Sequence, residues 1–217
     1  MAPTEQVVAA TGSPAPAGPP TPFELLFDGA VEAGRDLPAS FSAVYPGSWR
    51  LPQRKLLPYV YVNFVLSRDG RVSFNEPGHM GGADVSGFDE HDRWLMGLLR
   101  SRADAILMGD NTLHVEPDHV WTAEFVYPAD AASFTGLRES EGRVPMPLQV
   151  FLSRDGDVDV RTAEVFSVDE AHVILATTAR GALRARSWPP PAARVDVLEL
   201  GAESVDVRAL LATLRDT

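Results

Sequence analysis

Runs of apolar residues alternate along this chain with polar, glycine-rich breaks, and the spacing within each run points to the element it forms. Residues 59–66, YVYVNFVL, carry apolar side chains on both faces in their second half. That pattern predicts a central strand covered by helices on both sides. RDGRVSF follows and predicts a turn with a brief hairpin. Residues 75–87 form a Gly-rich loop without periodicity. In residues 88–103, Trp94, Leu95, Leu98 and Leu99 mark one stripe, which predicts the clearest helix of the chain. Asp89 and Asp92 fall in its first turn, Arg100 and Arg102 in its last, and both placements suit the helix dipole. Residues 104–109, 148–156 and 172–178 predict buried strands, and 194–201 a weakly alternating one. Residues 110–128 are a long polar and aromatic segment, and a helix is expected within 130–142. Residues 205–216 predict a final helix with Asp206 as its cap. The succession calls for an α/β fold, an open and mostly parallel sheet flanked by helices.

Ahead of this lies a different kind of sequence. Residues 1–22 are rich in Pro, Ala, Gly and Ser and predict a mobile tail. Phe23, Leu25, Leu26 and Phe27 open a segment, 21–34, that forms a short helix or docks on the core. Prolines in 37–56 prevent a long helix and predict irregular covering structure. The expected division is a tail and covering segment at 1–57 and a folded domain at 58–217.

Length and charge narrow the partners. The 217 residues, 45% hydrophobic, suit one domain with a substantial core. A formal net charge of -11 repels nucleic acid and anionic bilayers, so neither is expected as a partner. A small phosphorylated ligand needs only local positive charge and stays open. The chain has no cysteine, which excludes disulfides, thiolate catalysis and Cys-ligated metals. There is no run of 18 apolar residues and no signal-peptide pattern at the start, and a cytoplasmic location is expected.

Polar groups collect at four strand exits, where open α/β sheets bind ligands. The first holds Asn63, Ser67, Asp69 and Gly70; Asp69 either bonds its own turn backbone or reaches a ligand. The second, ADVSGFDEHDR, lets Ser86 or Asp89 cap the helix, with N–H groups of Gly87 and Phe88 facing a pocket that could hold an anion. Arg93 reaches that same anion or pairs with Asp89. The third is MGDNT, where Gly109 permits close approach to the backbone and Asn111 and Thr112 offer hydrogen-bonding groups. The fourth joins Ser153 and Arg154 to Thr177 and Thr178, groups suited to a ribose phosphate or to a purely structural turn. Neither Gly-rich stretch has dinucleotide-fingerprint spacing, and His114 and His119 beside Glu116 and Asp118 match no zinc pattern, so no metal is expected.

YVNFVLSRDG followed by VSGFDEHDRWLMGLLRSRADAILMGDNT resembles the pyrimidine reductase domain of riboflavin biosynthesis, of dihydrofolate-reductase-like fold. The likeness spans roughly residues 57–217. It implies NADPH-dependent reduction of a phosphoribosylamino pyrimidine, ribosyl to ribityl. Asn63, Ser67, Ser86 and Arg93 would then bind substrate, and Asp69 would be the candidate proton relay. Gly109, Asn111, Thr112, Ser153, Arg154, Thr177 and Thr178 would bind NADPH, with Ser153 and Arg154 meeting its 2′-phosphate. A homodimer is implied too. The family continues past its last matching helix into a strand and a Glu-Gly-Gly segment around the pyrophosphate, whereas Arg215-Asp216-Thr217 closes this sequence. The expectation is therefore a fold incomplete at its C-terminal end with a weakened cofactor site. Two alternatives stand beside it: a diverged noncatalytic nucleotide-binding or assembly protein, and a reductase of a related pterin-like or nucleotide-like substrate.

Overall fold

In the computed structural model, residues 18–29, 35–52 and 54–216 are described. Most of the expected tail, residues 1–17, and part of the segment after Phe23, residues 30–34, lie outside them. The centre is a parallel sheet in the order β1 (Ala105–Gly109), β2 (Leu148–Ser153), β3 (His172–Thr177) and β4 (Arg194–Glu199). Each strand falls within a stretch whose apolar pattern predicts one.

The period of two decides what each face buries. Phe151, Val173 and Leu175 turn to one side, where Leu113, Trp121, Val165 and Phe166 pack on them. Val150, Ile174 and Ala176 turn to the other, onto Leu210 and Leu214 of the last helix, α8 (Val207–Asp216). Asp206 caps α8, its Oδ1 accepting from Ala209 N at 3.0 Å. The helices before it are α1 (Ala39–Ser42), α2 (Gly82–Ser86), α3 (Glu90–Ser101), α4 (Asp110–Val115), α5 (Ala123–Val126), α6 (Ala131–Ser140) and α7 (Ala179–Ala185).

A second core forms away from the sheet. Trp94 and Leu98 of α3 meet Phe134 and Leu137 of α6 and Ala123 and Val126 of α5. Leu37, Phe41 and Val44 are buried in the same cluster, so the proline-rich covering segment fills core volume. Arg138 completes the junction. It is 1% exposed, and its guanidinium donates to the carbonyls of Arg100, Ser101 and Ala103 at and just past the end of α3, where carbonyls run short of helical donors.

One expected strand is absent. Residues 59–66 are not part of the sheet; Val60, Val62, Phe64 and Leu66 are 53%, 71%, 72% and 62% exposed. The apolar run specifies side chains that favour an extended backbone, but ladder hydrogen bonds need a neighbouring strand, and none pairs with it among the described residues. β1 is consequently an edge, and its Leu107 is 37% exposed. None of the described helices is long and apolar enough to cross a membrane.

Candidate functional site

The parallel sheet brings three of the expected residues to one line. Gly109, Ser153 and Thr177 are the last residues of β1, β2 and β3, and Ser153 pairs directly with Thr177. Gly109 is open: an added Cβ would meet nothing within 4 Å. Asn111 and Thr112 follow in α4, Asn111 exposed and Thr112 half-buried. Ser153 is buried and donates its hydroxyl to Asp110 Oδ2 at 2.6 Å.

The turn after β2 is held by the residues after β3. Thr178 Oγ1 donates to the Arg154 carbonyl at 2.7 Å, and Thr177 Oγ1 does so at 3.4 Å. Thr178 also caps α7, accepting from Gly181 N. Asp155 accepts from both Arg154 and Arg180, and Arg180 first and Arg154 second hold its carboxyl below the usual range. The side chains of Arg154 and Arg180 are 66% and 69% exposed. Two exposed guanidiniums thus share the Asp155 carboxylate, while the Asp110 carboxylate stands at the same end of the sheet beside Ser153. Exposed guanidinium forks are the side chains that pair with phosphate in two-pronged fashion.

The other expected residues gather around α3. The expected hairpin is not formed among the described residues, but Ser67 and Asp69 shape a turn: the Ser67 hydroxyl donates to Asp69 Oδ1, Arg71 Nε donates to Asp69 Oδ2 at 3.0 Å, and Gly70 turns with φ 87°. Ser67 foremost, against a small opposing effect of burial, keeps the Asp69 carboxyl below its ordinary range. Asp69 is therefore a carboxylate at neutral pH, able to accept a proton or attract a cation. Asn63 lies exposed on the segment before this turn and lines a cleft of about 220 Å³ with Val65, Val72, Gly82 and Met96.

One expectation about this region is corrected and two open alternatives are decided. The N–H groups of Gly87 and Phe88 do not face a pocket; they donate to the carbonyls of Asp84 and Ala83 and close the end of α2. Gly87 and Phe88 adopt φ 63° and 59°, a left-handed helix end, so that expected anion site is spent on capping. Asp89, not Ser86, caps α3, accepting from Asp92 N at 3.0 Å, while Ser86 Oγ donates back to the Ala83 carbonyl. Arg93 does not pair with Asp89; its Nε and Nη2 donate to the Val126 carbonyl at 3.2 and 3.0 Å. Sequence could not foresee this, because Val126 lies 33 residues away.

The expected residues thus form two groups. Gly109, Asn111, Thr112, Ser153, Arg154, Thr177 and Thr178 sit at or just beyond the carboxyl end of the sheet, while Asn63, Ser67, Asp69, Ser86 and Arg93 lie on the segment and turn before α2, on α2 and on α3. No hydrogen bond or ion pair joins the groups among the described residues. Sequence reasoning missed Asp92 as a pocket residue; its position in the first turn of an amphipathic helix signals only favourable dipole electrostatics.

No protein-family model matches the chain, and no curated protein matches it. Among solved structures, a pyrimidine reductase-like protein from Corynebacterium diphtheriae is similar at a TM-score of 0.49 and 19% identity over 70% of this chain. The chain spans 59% of that protein's length.

Proposed function

We propose that this chain serves the NADPH-dependent reduction of a phosphoribosylamino pyrimidine, ribosyl to ribityl, with the dinucleotide across the carboxyl ends of β1, β2 and β3. The observation that carries this reading is the line of Gly109, Ser153 and Thr177 beside the paired guanidiniums of Arg154 and Arg180. A parallel sheet offers its ligands this edge. When bound, NADPH supplies the hydride, which no side chain can. The residues of the chain supply position and charge. Arg154 and Arg180 hold the 2′-phosphate, while the Thr177 and Thr178 hydroxyls fix the turn that carries Arg154. Gly109 leaves room at the strand end, and Asn111 and Thr112 line the path beyond it. On the substrate side, Asn63, Ser67 and Ser86 offer polar groups, and Arg93 keeps Nη1 without a hydrogen bond among the described residues and offers it to phosphate. Reduction adds a proton as well as the hydride; Asp69, held ionised by Ser67 and Arg71, has none of its own to give and relays one taken from solvent.

Fluorescence titration with NADPH and NADH tests this. The expected outcome is saturable binding, with NADPH favoured by about tenfold or more and the preference lost in Arg154→Ala, since a charged hydrogen bond to phosphate contributes about 1.5–3 kcal/mol. No saturable binding at millimolar cofactor rejects the reading.

One observation favours a second reading, a noncatalytic nucleotide-binding or assembly protein. The carboxylate of Asp110 stands beside Ser153 at the strand ends and repels a pyrophosphate. A panel of NADPH oxidation assays separates these readings and also tests a pterin-like substrate. The exposed apolar run at residues 60–66 and the open edge of β1 support a homodimer; a strictly monomeric mass by light scattering overturns that part.

A further inference from the structure

Two parts of the molecule lack a partner and match each other. β1 pairs on one side only, with β2, among the described residues. Residues 59–66 carry the apolar pattern of a strand yet join no sheet. Tyr61 ties this segment to its own chain through the Leu99 carbonyl, while Val62, Phe64 and Leu66 are exposed. The candidate residues are divided in the same way. Ser67 and Asp69 follow the unpaired segment, Gly109, Ser153 and Thr177 end the strands, and no hydrogen bond or ion pair joins the two groups among the described residues.

We infer that residues 62–66 of a second copy complete the edge of β1, running parallel to it, so that each copy brings its Ser67 and Asp69 to the other's site. An open edge is a template for an extended segment. Val62 to Leu66 match the length of β1, Ala105–Gly109. Side chains on one face recur every second residue, so with Val62 opposite Ala105, Phe64 falls opposite Leu107 and Leu66 opposite Gly109. Ala105 packs with the cluster beneath α8, and Leu107, on the same face, is exposed. Phe64 covers Leu107, and Leu66 lies beside Gly109, where the space is open. Charge agrees with this register. Ser67 and Arg68 pass the end of β1 at Asp110, and neither Arg68 nor Asp110 takes part in an ion pair among the described residues. Only the parallel direction does this; an antiparallel strand sends Asp69 to the amino end of the sheet. Two copies that exchange the segment form a closed pair with a twofold axis, not an open filament.

The inference rests on the proposed reading for what the completed site does, and not for the pairing, so its test omits NADPH. The chain has no cysteine, and introduced thiols therefore report only on themselves. Opposed residues of neighbouring strands lie about 4.8 Å apart, within reach of a disulfide. Chains with Phe64→Cys are mixed with chains with Leu107→Cys, oxidised and run on a non-reducing gel; Leu66→Cys with Gly109→Cys is the second pair. All these positions are exposed, so the substitutions leave the cores intact. Expected are covalent dimers in both mixtures, each holding one chain of either kind, and none when Val62→Cys meets Gly109→Cys, a pair that an antiparallel strand brings together. Bridging of that antiparallel pair, or failure of both parallel pairs, overturns the inference. So does Phe64→Cys bridging mainly to itself, which sets the two exposed segments face to face. A chain with both Phe64→Cys and Leu107→Cys that closes a bridge within itself overturns it too, because the segment then pairs with its own β1. Chains that bridge as expected but bind no NADPH uphold the exchange while the reductase reading falls.

Discussion

At the scale of single residues, His119 shows how packing fixes a protonation state. Its Nδ1 lies 3.2 Å from Glu116 Oε2, and its Nε2 lies 2.9 Å from Arg100 Nη1. A guanidinium can only donate, so Nε2 accepts, the ring is neutral and its proton sits on Nδ1 facing Glu116. Trp121 and Phe125 flank the ring at centroid distances of 4.9 and 4.3 Å. Burial pushes the His119 pKa below its ordinary value against the opposing pull of Glu116, and burial also pushes Arg100 down to about 10. The sign follows from linkage. A histidine whose folded value is depressed contributes stability that is complete above its unfolded pKa of about 6.5 and is lost as pH falls through the folded value. Thermal melts between neutral pH and pH about 5 are therefore expected to show a steeper acid loss for the wild-type chain than for His119→Gln, which cannot protonate there. Parallel curves would remove His119 as the source. The sequence displays His119 near Glu116, but its decisive neighbour, Arg100, comes from α3, a contact that spacing along the chain does not encode.

At the scale of elements, legibility follows how local the determinants are. The stripe of Trp94, Leu98 and Leu99 and the cap at Asp89 predict α3 within two residues, because both act inside one helix. β1, β2 and β3 are nearly as plain, as short Val, Ile, Leu and Phe runs, whereas β4 shows only weak alternation. Residues 59–66 have the same composition and no partner, so composition alone predicts a strand that pairing does not deliver. The two SRDG turns make the same point. At residues 67–70, Asp69 bonds within its own turn, while at residues 153–156 the turn is clasped by α7. That clasp depends on Gly181: a Cβ there would sit 1.8 Å from Thr177 Oγ1 and 2.8 Å from the backbone N of Gly156. The hydroxyl can rotate away, but the backbone cannot. Gly181→Ala is expected to cost about 3 kcal/mol, at the upper end of overpacking penalties, and to loosen the Arg154 turn. Urea denaturation measures it against Gly109→Ala, whose Cβ meets nothing within 4 Å and leaves stability nearly unchanged. Equal losses would show that the strand ends, not the helix–turn contact, set the tolerance.

At the scale of the whole molecule, what most departs from an ordinary monomer surface is the band running from Val60 to Phe74. Val62, Phe64 and Leu66 are 71%, 72% and 62% exposed, with Val72 at 49% and Phe74 at 37% nearby, while β1 pairs on one side only among the described residues. Water is a poor neighbour for the apolar side chains and an open edge is a template for pairing, so the two together mark a place of association. The alternation matters: Tyr61 is half-buried and donates its hydroxyl to the Leu99 carbonyl at 2.7 Å, so the segment is moored on one side and free on the other. Substituting the free side should separate folding from association. Val62→Thr with Phe64→Ser is expected to change the unfolding free energy by no more than about 0.5 kcal/mol, as surface substitutions do, while lowering the self-associated fraction in sedimentation velocity. A loss of several kcal/mol would mean that these side chains are buried within the single folded chain. A dispersed mass distribution that the double variant leaves untouched would place association on another face.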